Sequence, residues 1–256
     1  MPESGNGDLS DVLAVGAKAR WPRVVLKISG EALASSSAKD VVDADVLDRL
    51  AQEVAKARQL LDVEIAIVVG GGNIWRGTSG TDIGLDRATS DHMGMLGTTM
   101  NSLALQNAIE RLGQPTRVQT AIEMAELAEP YIRRRAIRHL EKGRVVILAA
   151  GMGSPYFTTD TAAALRAAEI GAAAVLKGTH SGVDGIYSAD PKLDSTATKF
   201  EELSYMDVIS KGLQVMDLTA ITFCQDNKIE ILVFDVSQPG NVLRAMAGVR
   251  LGTLVR

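Results

Sequence analysis

Several short stretches of this chain set phosphate-handling groups where apolar runs end. Arg23-Val24-Val25-Leu26-Lys27-Ile28 reads as a buried strand that opens into Ser29-Gly30-Glu31-Ala32. A lysine at such an edge can reach a transferring phosphoryl group as a point charge, and its plain alternative is to point at solvent. Val63 to Val69 is rich in β-branched residues and runs into Gly70-Gly71-Gly72-Asn73. This can be a tight turn, but three glycines incur backbone entropy that close approach to a ligand would explain. Two glycine turns thus follow two buried strands, and open α/β sheets bind ligands at that strand end. Arg76, just beyond the second turn, is either a phosphate fork or a surface ion-pair partner. In Gly151 to Asp160, Pro155, Tyr156 and Phe157 shape an apolar wall ahead of Thr158-Thr159-Asp160, which can open a helix. Helix capping explains one of these three polar residues. Asp160 could cap, orient Lys27 or bind a metal.

Other candidates are plainer. Asp91-His92-Met93-Gly94-Met95-Leu96 reads as a helix start with Asp91 as N-cap and the methionines as core packing. Val183 to Pro191 reads as a hairpin or loop that sets an aromatic ring beside a carboxylate. An adenine ring needs an apolar or aromatic slot with a few polar fixings, which makes Tyr187 and Asp190 candidates. His180 is expected in solvent and Cys224 in the core. The motif Gly-x-x-x-x-Gly-Lys-Ser/Thr is absent, so this is not a P-loop kinase. The dinucleotide fingerprint also fails, because Gly70 to Trp75 and Gly151 to Tyr156 both lack its last small residue. What remains is a set of glycine turns whose backbone N–H groups and neighbouring helix N-termini suit anions.

The elements that must position these residues follow from apolar periodicity. Residues 43–61 place Val46, Leu47, Leu50, Val54, Ala57 and Leu61 on one helical face, with Asp43 or Asp45 as N-cap. This helix joins two strands into a right-handed β-α-β unit. Further strands are expected at Arg144 to Ala149, Ala173 to Lys177 and Glu230 to Phe234. Helices are expected at 90–112, 131–142, 159–170, 205–211, 217–227 and 240–248. Together these predict an α/β fold, a three-layer α/β/α sandwich around a mainly parallel, doubly wound sheet. Residues 1–20 are expected to be a flexible tail ahead of a single two-lobed domain over 21–256.

The whole chain sets outer bounds. Its 256 residues suffice for a full core, and 27 Lys+Arg against 31 Asp+Glu give a formal charge of −4, so no global basic field attracts nucleic acid. A lone Cys224 excludes an intrachain disulfide, and His92, His139 and His180 lack zinc-ligand spacing, as suits a reducing cytoplasm. The acidic start has no signal-peptide or anchor character, and no apolar run is long enough to span a membrane.

Taken together, Lys27-Ile28-Ser29-Gly30-Glu31-Ala32, Gly70 to Asn73, Arg76-Gly77, Asp91 to Met95, Pro155 to Asp160 and Val183 to Tyr187 resemble the bacterial uridylate kinases, a branch of the amino acid kinase family. Their order, their spacing and the ending Gly252-Thr253-Leu254 agree, so the resemblance runs from about residue 22 to the C-terminus. Val-Asp-Gly recurs in aspartate kinases, whereas Asp-His-Met-Gly-Met with Phe-Thr-Thr-Asp marks the uridylate branch.

The resemblance implies that ATP, with Mg2+, phosphorylates UMP to UDP in pyrimidine nucleotide biosynthesis. It implies a cytoplasmic homohexamer under allosteric control, with UTP inhibiting and GTP often activating. By position, Lys27, Ile28, Ser29, Gly30, Gly72 and Arg76 would meet the ATP phosphates, and Thr179, Tyr187 and Asp190 the adenosine. Gly71, Asp91, Met152, Gly153, Ser154, Pro155, Tyr156, Phe157, Thr158 and Thr159 would hold UMP. Lys27, Arg76 and Asp160 would be catalytic, the metal being carried by ATP rather than by protein ligands. Two segments depart from relatives. Ala34 to Asp40 lacks their glycine-rich, aromatic-bearing stretch near the effector site, and Gly178 to Gly182 is longer, which leaves GTP activation and the Thr179 contact open. The alternatives are another family member acting on a carboxylate or carbamate, and a non-catalytic nucleotide-sensing protein. Asp91 and Phe-Thr-Thr-Asp count against the first, and Lys27, Arg76 and Asp160 against the second.

Overall fold

A computed structural model describes residues 10–14, 16, 18–34, 40–76, 80, 83–180, 182–213 and 215–256. Gly77 of the Arg-Gly motif, residues 35–39 of the divergent segment, Ser181 and residues 1–9 lie outside the described residues. Within the expected tail, Ser10–Ala14 forms helix α1, with Val12 buried and Asp11 2.7 Å from Arg244.

The apolar runs become strands β1 (Arg23–Ile28), β2 (Glu64–Val69), β5 (Val145–Ala149), β6 (Ala174–Thr179) and β10 (Glu230–Asp235). Four further strands complete a nine-stranded sheet: β3 (Thr116–Thr120), β4 (Glu129–Pro130), β9 (Glu202–Leu203) and β11 (Thr253–Val255). Its order is β4-β3-β5-β2-β1-β6-β10-β11-β9, and every pairing is parallel except β10 with β11. A two-stranded hairpin, β7 (Ile186–Tyr187) with β8 (Lys199–Phe200), stands apart.

Alternation along the strands decides what each face meets. Val24, Leu26 and Ile28 pack into a layer with α2 (Ala44–Leu61), α3 (Arg87–Arg111) and α8 (Asn241–Ala247). Val25 and Val175 pack into the opposite layer, built from α4 (Arg133–Glu141), α5 (Thr159–Ile170), α6 (Tyr205–Ser210) and α7 (Leu218–Asp226). The α/β/α sandwich is thus observed. The same period carries Lys27 and Lys177 to the face covered by α5.

Helix starts follow local capping chemistry. Asp43 accepts from the N–H groups of Asp45 (2.9 Å) and Val46 (3.2 Å), and Thr158 caps α5. α3 differs from expectation, since its N-cap is Asp86, which accepts from the Thr89 N–H at 3.0 Å. Asp91 therefore lies inside the helix, and its carboxylate is free of capping duty. At α8 the N-cap is Gly240, which offers no side chain, and Glu53 from α2 supplies the acceptor instead, taking the Val242 N–H at 2.9 Å.

Candidate active site

Two glycine turns interlock at the carboxyl ends of β1 and β2. A Cβ on Gly30 would lie 2.4 Å from Asn73 Oδ1 and 2.6 Å from the Gly70 carbonyl oxygen, so the turns touch through bare backbone. A Cβ on Gly71 would meet the Gly94 carbonyl oxygen at 2.5 Å, so α3 presses on the second turn from the other side. Asn101, fully buried in α3, donates to the Gly70 carbonyl at 2.7 Å and to Asn73 Oδ1 at 2.8 Å, fixing that turn.

Beside these turns sits a buried charge cluster. Lys27 and Lys177 are direct partners in the β1–β6 register, and Asp160 reaches them from the first turn of α5. Lys177 Nζ donates to Asp160 Oδ2 at 2.6 Å, and Lys27 Nζ lies 2.7 Å from Oδ1. Both contacts are ion pairs to one carboxylate, and the Lys27 side chain is the more buried of the two. Burial would raise the Asp160 pKa, but the charges of Lys27 and Lys177 outweigh it and hold the carboxyl below the usual value. Burial, helped by facing Lys27, outweighs the attraction of Asp160 and lowers the pKa of Lys177. Asp160 is thus ion-paired to Lys27 and Lys177, while Thr158 is the residue that caps α5.

One cavity of about 130 Å3 opens between the second turn, α3 and the N-terminus of α5. Of the residues expected to hold UMP, Gly71, Asp91, Met152, Phe157, Thr158 and Thr159 line it together. Gly153, Ser154, Pro155 and Tyr156 belong to the same loop but do not line it. That loop takes left-handed φ at Ala150, Gly151, Gly153 and Tyr156, and the Tyr156 N–H donates to Asp91 Oδ2 at 2.8 Å. Arg87 Nε donates to both Asp91 oxygens, at 2.8 and 2.9 Å. Trp75, Thr98 and Met95 also line the cavity, so Met95, expected as plain core packing, faces the site. Sequence reading missed Trp75 and Thr98. Trp75 directly precedes Arg76, and Thr98 comes one α3 turn after the Met-Gly-Met motif.

A second cavity, about 510 Å3, adjoins Asp160 and Lys177 and is walled by Val208, Leu213, Val215, Met216 and Leu218. None of Thr179, Tyr187 or Asp190 lines it. The Thr179 hydroxyl is engaged by the Val183 carbonyl and, at 2.9 Å, the Phe234 carbonyl. The Tyr187 hydroxyl donates to Asp184 at 2.5 Å, so the ring does sit beside a carboxylate, though not that of Asp190. Asp190 accepts from the Lys192 N–H within its own turn, at 2.9 Å. The Ile28 side chain is buried in the core on the far face, and Ser29 makes no side-chain cap to the short 3-10 turn Gly30–Leu33. Gly72 and Arg76 line neither cavity, and Arg76 Nη2 pairs with Glu31 at 2.5 Å. His180, expected in bare solvent, is half-buried with Nε2 2.9 Å from the other Glu31 oxygen. Cys224 is buried as expected, and burial pushes its thiol up to about 12.

Lys177 and the 510 Å3 cavity went unread as site features. The strand-end pattern Lys177-Gly178-Thr179 echoes Lys27-Ile28-Ser29-Gly30 and was the available signal. The apolar run Leu213 to Leu218 looks like any interhelical link, and only the fold turns it toward Lys177.

The profile of the amino acid kinase family matches residues 22–235. A uridylate kinase of Pediococcus pentosaceus is 55% identical over 240 residues, covering 94% of this chain and 98% of that protein. The solved structure of UMP kinase from Bacillus anthracis superposes with a TM-score of 0.89 at 38% identity, covering 92% of this chain and 96% of that one. UMP kinase from Ureaplasma parvum gives 0.87 at 37% identity, covering 92% and 99%. With the interlocked glycine turns and the Lys-Asp-Lys cluster at the strand ends, these likenesses show that the chain belongs to the amino acid kinase family, in its uridylate kinase branch.

Proposed function

We infer that this chain is a UMP kinase that transfers the γ-phosphoryl group of ATP to UMP, giving ADP and UDP. The observation that carries the reading is the pair of lysines gathered on Asp160 beside a cavity lined by Gly71, Asp91 and the first residues of α5. The acceptor is a phosphate oxygen already ionised at neutral pH. It attacks the γ-phosphorus as the bond to the bridging oxygen of ADP breaks, and no general base is required. The task is to align two polyanions and offset charge in a loose transition state. The low pKa of Asp160 keeps it anionic, so it holds both ammonium groups in place without drawing a proton from either.

On this reading Lys27, Asp160 and Arg76 are catalytic, and Lys177 joins them. Ile28, Ser29, Gly30 and Gly72 contribute backbone on the donor side. The α5 N-terminus, capped by Thr158, favours the acceptor phosphate beside Thr159, with Asp91 toward the nucleoside. Met152 to Phe157 face the base. Tyr187, Asp190 and Thr179 stay our proposal for the adenosine side, and the apolar cavity next to Lys177 is roomy enough for a purine ring. Residues 21–256 would form one domain with an acceptor lobe and an ATP lobe.

Among the described residues no cluster of three or more His, Cys, Asp or Glu could hold a metal, and both Asp160 oxygens face lysines. Mg2+ would therefore ride on the ATP phosphates, where it supplies charge neutralisation. Branch membership supports a homohexamer, inhibition by UTP and a cytoplasmic setting. The exposed Leu96 and Met100 on α3 suit burial against another copy, and no described helix is long and apolar enough to cross a membrane. Lys27→Ala tests the reading: turnover with ATP and UMP should fall by about a hundredfold or more with the melting transition retained. Near-normal turnover would remove Lys27 from the mechanism.

A further inference from the structure

We propose that His180 is a donor-phosphate contact of this site, held on Glu31 until the nucleotide arrives. The proposal rests on the kinase reading above. Strands β2, β1 and β6 lie side by side in the sheet, and the segment that follows each contributes one side chain to a three-residue cluster. These are Arg76, Glu31 and His180. A single carboxylate bridges the other two: Glu31 Oε1 lies 2.5 Å from Arg76 Nη2, and Oε2 lies 2.9 Å from His180 Nε2.

Two oxygens on one centre, each facing a nitrogen donor, is also the way two oxygens of a phosphate would be held. The position of that carboxylate is telling. A Cβ on Gly72 would come 3.4 Å from Glu31 Oε1, so Glu31 lies over the glycine floor assigned to the donor phosphates. Its side chain is 33% exposed, with Arg76 at 59% and His180 at 34%, and ion pairs that open to water are weak and readily exchanged. A polyphosphate carrying several charges outcompetes one carboxylate for both donors.

The neighbour that the motif order selects cannot serve in the same way. The Thr179 hydroxyl is engaged by two backbone carbonyls, from Val183 and Phe234, whereas His180 turns back over β1. Lys27 and Lys177, held on Asp160, are placed for the transferring group, and His180 with Arg76 for the phosphates that stay with the leaving ADP.

The test is steady-state kinetics of the full-length enzyme with His180→Ala and His180→Lys, varying ATP and UMP separately. His180→Ala should raise the KM for ATP by about fivefold or more and leave the KM for UMP within about twofold. His180→Lys, which again offers an N–H donor at this position, should return the KM for ATP to within about twofold of wild type. An unchanged KM for ATP in His180→Ala would overturn the proposal. So would equal rises in both KM values, or a lysine variant as impaired as alanine, since each marks a purely structural role. Failure of the wild-type enzyme to phosphorylate UMP would instead sink the underlying functional reading.

Discussion

Replacing Asp160 by Asn removes the one negative charge that two largely buried lysines share, and its cost can be worked from the geometry. Each ammonium nitrogen sits against a different oxygen of one carboxylate, at 2.7 and 2.6 Å. For two unit charges about 5 Å apart at an effective dielectric of about 20, the repulsion is about 3 kcal/mol. In the wild type Asp160 more than offsets this repulsion, whereas the amide of the variant does not. Asp160→Asn should therefore lower unfolding free energy at pH 7 by about 2–4 kcal/mol, a little under the roughly 3–5 kcal/mol for breaking a fully buried pair. It should also cut kcat by about a hundredfold, because neither lysine is then held in register.

The sign of the pH dependence is fixed by the depressed Asp160 pKa. A carboxyl whose folded pKa lies below its unfolded value of about 3.9 contributes stability that is complete above that value. The contribution is lost as pH falls through the lower folded value. The gap between wild type and variant should be widest near neutrality and close below about pH 4. Urea unfolding at pH 7 and in the acid limb reads this directly. A stability loss under about 0.5 kcal/mol at pH 7, or a gap that persists unchanged in acid, would refute the reasoning.

Two other substitutions separate binding from folding. Asp91→Asn weakens the anchor held by Arg87 and the Tyr156 N–H, so the KM for UMP should rise about tenfold while that for ATP stays within about twofold. Equal effects on both substrates would contradict the assignment. Glu53→Ala leaves the Val242 N–H at the start of α8 without its acceptor and takes one of two acceptors from Arg49 Nη1, which keeps the Val236 carbonyl, and should cost about 2 kcal/mol in urea unfolding with kinetics unchanged. A loss below about 0.5 kcal/mol would show that water replaces the cap.

The sheet's central strands were legible because β1, β2, β5, β6 and β10 are apolar runs that end in turn residues, and period-two alternation fixed which layer each side chain meets. β3 was missed for a physical reason. Thr116, Gln119 and Thr120 are fully or nearly buried yet polar, with Gln119 Nε2 donating to Glu129 at 3.0 Å, so the strand carries no hydrophobic signature. The N-cap of α3 was set five residues late, because Asp91 and Asp86 are equally good caps in sequence and only the fold gives Asp91 other partners.

In the site, Lys27 and Asp160 were found as separate signals. Their pairing is a consequence of strand alternation plus the first turn of α5. Lys177 was hidden by its resemblance to any strand-end lysine until the β1–β6 register set it opposite Lys27. Contacts made by three distant segments, such as Glu31 with Arg76 and His180, leave no trace in local spacing.

The central claim is that the lysines on Asp160 and the cavity beside them serve transfer between ATP and UMP. An ADP-release assay on the purified chain with UMP, CMP or aspartate as acceptor, with the nucleotide product identified by chromatography, tests it most directly. The account predicts ADP release with UMP, matched one for one by UDP, and none with aspartate. Release with aspartate in place of UMP, or no release with any acceptor, would contradict it.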